Sequence, residues 1–92
     1  MRKLKETVAA LEKKGFTKRE GRDYNFRFHT KDGAPSGVKT RVPKGRGDLQ
    51  PWEVHGLRKD LGLTEPELLA LIDCPMSREK LEQILRERGL IQ

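Results

Sequence analysis

Residues 21–30 read "GRDYNFRFHT", and from Asp23 onward apolar and polar side chains alternate without a break. Tyr24, Phe26, Phe28 and Thr30 fall on one side, and Asp23, Asn25, Arg27, His29 and Lys31 on the other. A period of two over that length predicts a strand with one face on a core. The fold then turns on what lies on either side of it. Upstream, Leu4, Val8 and Leu11 recur at i, i+4 and i+7, which predicts a helix over about residues 2–14 that Gly15 stops. Phe16 opens a short strand ending near Glu20, and Gly21 and Arg22 turn the chain.

Downstream, "KDGAPSG" at 31–37 carries Asp-Gly, Pro and a second Gly, the residues of a hairpin loop. "VKTRVP" at 38–43 is a third strand with Val38, Thr40 and Val42 inward and Lys39 and Arg41 outward. After the basic, glycine-rich "KGRGDLQ" a helix begins between Asp48 and Pro51, carries Val54, Leu57 and Leu61 on one side, and closes at Gly62. Thr64 and Glu67 stand at capping-box spacing for a third helix. Ser77 caps a fourth, with Leu81, Ile84 and Leu85 as its stripe and Gly89 as its stop. The expected architecture is α+β, with sequential antiparallel strands and the helices gathered on one sheet face. The other face stays open.

Charge gives the first functional clue. The 92 residues carry a formal net charge of +6, but residues 1–50 hold fourteen basic and six acidic side chains while residues 51–92 hold six and eight. A basic front half favours encounter with nucleic acid or an acidic protein. No apolar run approaches the ~20 residues that span a bilayer, and the charged N-terminal stretch lacks the apolar core of a secretory signal. A single cysteine, Cys74, excludes an internal disulfide, and no Cys/His spacing resembles a zinc site, so a cytoplasmic setting and no cofactor are expected.

Arg27, His29, Lys31, Lys39 and Arg41 would form a basic plate on the open face. It reads either as a surface for an RNA backbone or an acidic partner, or as the polar solvent side of any one-sided sheet. Lys44 and Arg46 flank Gly45 in a loop able to approach phosphates, although the Gly-Lys-Ser/Thr of nucleotide-hydrolysing loops is missing. His55 and Arg58 lie near the start of the second helix, an end that attracts anions, though a lone helical histidine is more often simply solvated. Trp52 is expected to anchor that helix against the core, Tyr24, Phe26 and Phe28 to be core rather than base-stacking aromatics, and Cys74 to be an apolar filler.

Four stretches carry a family likeness. "TVAALEKKGF", "GRDYNF", "VKTRVP" and "LQPWEVHGLRKDLGLTEPELLALI" resemble the successive segments of the HicA family of bacterial toxins, over roughly residues 4–72. The resemblance implies an αβββα domain like those that bind double-stranded RNA, with residues 73–92 as a C-terminal helical extension packed on the same domain. It further implies an mRNA-cleaving endoribonuclease, RNA as substrate and a HicB-like antitoxin protein as partner. The family's motif is Gly-Ser-His-x-x-Phe, and here Gly21, Arg22, Asp23 and Phe26 stand at its positions. Asp23 is the departure that matters. A histidine can exchange a proton near neutral pH, as attack by a 2′-hydroxyl requires, whereas a carboxylate only accepts and repels phosphate. His29 lies on the same face but about 20 Å along the strand at ~3.3 Å per residue, too far to replace the missing group in place. If the chain cleaves RNA, the catalytic candidates are His29 or His55, with Arg27 and Lys39 steadying the phosphate. The competing expectation is a non-catalytic module that binds an acidic, antitoxin-like protein through the same face.

Overall fold

In a computed structural model, which describes residues 2–73 and 75–91, the alternating stretch forms the central strand of a three-stranded antiparallel sheet. Cys74 lies outside the described residues. In chain order the elements are α1 (Leu4–Lys13), β1 (Phe16–Glu20), β2 (Tyr24–His29), β3 (Pro35–Val42), α2 (Pro51–Leu61), α3 (Glu65–Asp73) and α4 (Arg78–Glu87). The class is α+β, with sheet order β1-β2-β3 and four helices.

Phe26 and Phe28 are fully buried, and Phe28 meets Phe16 of β1 edge-on with ring centroids 5.3 Å apart. Leu4 and Leu11 of α1, Leu57 and Leu61 of α2, and Leu68, Leu71 and Ile72 of α3 complete the core with Leu81, Ile84 and Leu85 of α4. The register sets Thr17 opposite Arg27 and Arg27 opposite Lys39, then Arg19 opposite Asn25 and Asn25 opposite Arg41. Because side chains alternate along a strand, these residues share the face the aromatic residues leave.

Three sequence expectations need correction. β3 begins at Pro35 inside the expected loop, and its register with β2 shifts between Arg27 and His29. Ser36 makes the shift tolerable, since its hydroxyl donates to the Phe28 carbonyl at 2.7 Å and accepts from the Val38 amide at 3.1 Å. The shift also ends β2 at His29, which leaves Lys31 in the hairpin turn and off the sheet face. Finally, Trp52 is 71% exposed. Leu49, only 2% exposed, takes the inward position at the entry to α2, and Trp52 lies about 140° round the helix from Leu57 at 100° per residue.

The segment between β3 and α2 is laced to the start of α1. The Leu4 amide donates to the Gly47 carbonyl at 2.9 Å and the Leu49 amide to the Arg2 carbonyl at 2.6 Å. Those bonds hold Arg2 and Lys3 extended, so α1 starts at Leu4. Among the described residues, no helix is long and apolar enough to cross a membrane.

Candidate nucleic-acid interface

The outer side of the sheet is an open concavity of about 890 Å³. β1 supplies Thr17 and Arg19, β2 supplies Asn25, Arg27 and His29, and β3 supplies Lys39 and Arg41. Asp60 of α2 also lines it, and its carboxylate accepts from the Thr40 hydroxyl at 2.8 Å rather than pairing with a cation. Four permanently charged groups therefore stand on three adjoining strands about 5 Å apart.

Some of the cations are ion-paired. Arg2 pairs with Asp73, Lys3 with Asp48, Lys18 with Glu12, Arg86 with Glu82 and Arg88 with Glu67. All of these lie off the open face. Among the described residues, Arg19, Arg27, Lys39 and Arg41 have no carboxylate within ion-pair distance. Arg27 is steadied by donating to the Ser36 carbonyl at 2.8 Å, at the register shift itself.

His29 is fixed at both ring nitrogens. Nδ1 stands 3.2 Å from the Gly33 carbonyl and Nε2 3.1 Å from the Thr17 hydroxyl. A carbonyl only accepts, so Nδ1 carries the proton of that bond, and Nε2 is the nitrogen turned toward β1. The positive-φ turn at Gly33 brings its carbonyl to the ring.

The remaining sequence candidates lie elsewhere. Asp23 sits in the β1–β2 turn, where its carbonyl accepts from the Gly21 amide at 3.0 Å and the Asn25 side chain at 3.3 Å. It does not line the concavity. His55 is on α2, with Nδ1 3.3 Å from an Arg58 guanidinium nitrogen. Lys31 is exposed, and its amide donates to Glu82 of α4 at 2.9 Å. The Lys44 ammonium lies over the Tyr24 ring at 5.3 Å, with Lys18 over the same ring at 4.9 Å, whereas Arg46 is exposed between Gly45 and Gly47. Sequence reasoning missed Thr17 and Arg19. Parity counted from Phe16 would have found them, because an inward Phe16 turns both outward.

Nothing among protein-family models, curated proteins or solved structures matches the chain. The chemistry of the open face is thus what bears on function.

Proposed function

We propose that this chain binds RNA through the open face of its sheet, in an αβββα domain of the HicA-like, double-stranded-RNA-binding kind with two further helices. One observation carries the reading: Arg19, Arg27, Lys39 and Arg41 share a single concave face, and among the described residues none of the four has a carboxylate within ion-pair distance. Phosphate contacts dominate nucleic-acid affinity and release counterions, so binding should fall steeply with salt. With four contacts on a single strand, the slope of log affinity against log salt is about −3. The expected affinity is micromolar at low salt. The double variant Lys39→Glu, Arg41→Glu should lose it without loss of fold, because both side chains are exposed and neither is ion-paired among the described residues. No binding to generic RNA at low salt would sink the proposal and leave the acidic, antitoxin-like protein partner as the reading to pursue.

A second reading, cleavage, is favoured by the hydrogen bonds of His29. With Nδ1 engaged by Gly33, Nε2 could take the proton of a 2′-hydroxyl as its oxygen attacks the neighbouring phosphorus, once the Thr17 hydroxyl gives up Nε2 for its other acceptor, the Arg27 carbonyl at 3.4 Å. The 5′-oxygen would leave with a solvent proton, giving a 2′,3′-cyclic phosphate, and Arg27 and Lys39 would hold the phosphate oxygens. Asp23 and His55 lie off the face and have no part in this step. His29→Ala should abolish cleavage while RNA is still bound; undiminished cleavage rejects His29 as the base.

A further inference from the structure

Trp52 is 71% exposed on the solvent side of α2. Leu90, also exposed at 41%, covers Gly62, where an added Cβ would meet its side chain. Trp52 is the more exposed of these two large apolar side chains. Trp52, Gly56 and Asp60 follow one another at i, i+4 and i+8, so they form one ridge along α2. Its far end, Asp60, holds Thr40 of β3 and lines the basic concavity. Its middle is a gap, because nothing lies within 4 Å of where a Gly56 Cβ would stand. Glycine in a helix interior weakens the helix relative to alanine, so the gap is retained at a cost. Exposed Lys59 stands on the same flank, exposed Arg46 precedes the helix, and the Glu53 carboxylate is occupied by the Gln50 amide at 2.7 Å.

We propose that Trp52 stacks an unpaired nucleobase of the RNA whose backbone lies on the sheet, with the gap over Gly56 receiving the base. This rests on the RNA-binding reading and narrows it to single strands. An aromatic platform beside a basic groove is the arrangement that holds single-stranded nucleic acid, whereas the bases of an A-form duplex are stacked on one another and offer no open face.

Trp52 is the chain's single tryptophan, so its fluorescence reports the contact directly. A short oligoadenylate should quench it, and neither a duplex of equal length nor inorganic polyphosphate should do so. Trp52→Ala should weaken oligoadenylate binding about 5- to 150-fold, Trp52→Phe should retain most of it, and both should keep the native circular dichroism. Gly56→Leu fills the gap while favouring the helix, and should remove the quench. Unchanged affinity in Trp52→Ala, while the Lys39→Glu, Arg41→Glu variant loses binding, overturns the stacking proposal and leaves the RNA-binding reading intact. Unchanged binding in that double variant overturns the reading itself. A blue shift of Trp52 emission with rising protein concentration, without RNA, overturns the proposal in favour of a second copy of the chain.

Discussion

Arg88 divides its guanidinium among three acceptors, the Gly62 carbonyl and both Glu67 oxygens, each at 2.7 Å. The bond to Arg88, reinforced by the Thr64 amide and hydroxyl, lowers the Glu67 carboxyl from its ordinary 4.5 to about 2. A depressed carboxylate contributes stability above its unfolded value and loses it as pH falls through the folded one. The Glu67 contribution is therefore whole above about pH 4.5 and gone below about pH 2. The side chains of Arg88 and Glu67 remain 39% and 24% exposed, so screening reduces the effect to about 1 kcal/mol. Glu67→Gln keeps an acceptor for the Thr64 amide but removes the charge. It should melt about 4–8 °C below the parent at neutral pH, and the gap should close on titration toward pH 2. Equal melting temperatures at pH 7 would show the pair to be ornamental. The Thr64–Glu67 spacing was legible in the sequence because the motif is local. Arg88 was not, since only the docking of α4 brings it to Glu67 across 21 residues.

The helix α4 holds the β2–β3 hairpin by polar bonds as well as by its buried stripe. The Arg78 guanidinium donates to the His29 and Thr30 carbonyls at 3.1 Å, and Glu82 accepts the Lys31 amide. Gly15, between α1 and β1, leaves room for this. With φ at +99°, a Cβ there would come within 2.6 Å of the Arg78 Nε. Gly33 has a similar φ of +84° but open space around it. Alanine at either position should cost about 1–2 kcal/mol for the left-handed backbone. Gly15→Ala should cost about 1.5 kcal/mol more by displacing Arg78, and should speed amide exchange at Thr30 and Gly33. Denaturant unfolding of the two variants, with exchange read at those amides, checks this; equal losses would mean that Arg78 does not clamp the hairpin. Element order and type followed from apolar spacing, but this hairpin did not. Asp-Gly, Pro and Gly read as loop residues, whereas Ser36 satisfies the ladder with its hydroxyl and Pro35 is tolerated at the start of an edge strand.

For the molecule as a whole, the division of charge along the sequence becomes a division in space. Acidic side chains at Asp48, Glu67, Asp73 and Glu82 are engaged where helices meet loops and one another, and the sheet's open face keeps its cations. The strand alternation announced that Arg27, Lys39 and Arg41 would point outward, whereas the full plate required the β1–β2 register that adds Arg19. Such a face is electrostatically costly, because like charges directly opposite on neighbouring strands destabilise a sheet, and Arg27 faces Lys39 in that way. Lys39→Glu converts the pair into an attractive one and should stabilise the fold by about 0.2–1 kcal/mol. The same substitution should weaken RNA binding and shallow its salt slope by up to about 1.4, because one contact is lost and the new carboxylate offsets another. Thermal melting and RNA titration on the one variant test both halves. A rise in stability with a loss of binding means that repulsion is maintained for a polyanion; a rise in stability with binding unchanged means that the cations on this face serve solubility and that RNA, if bound, lies elsewhere.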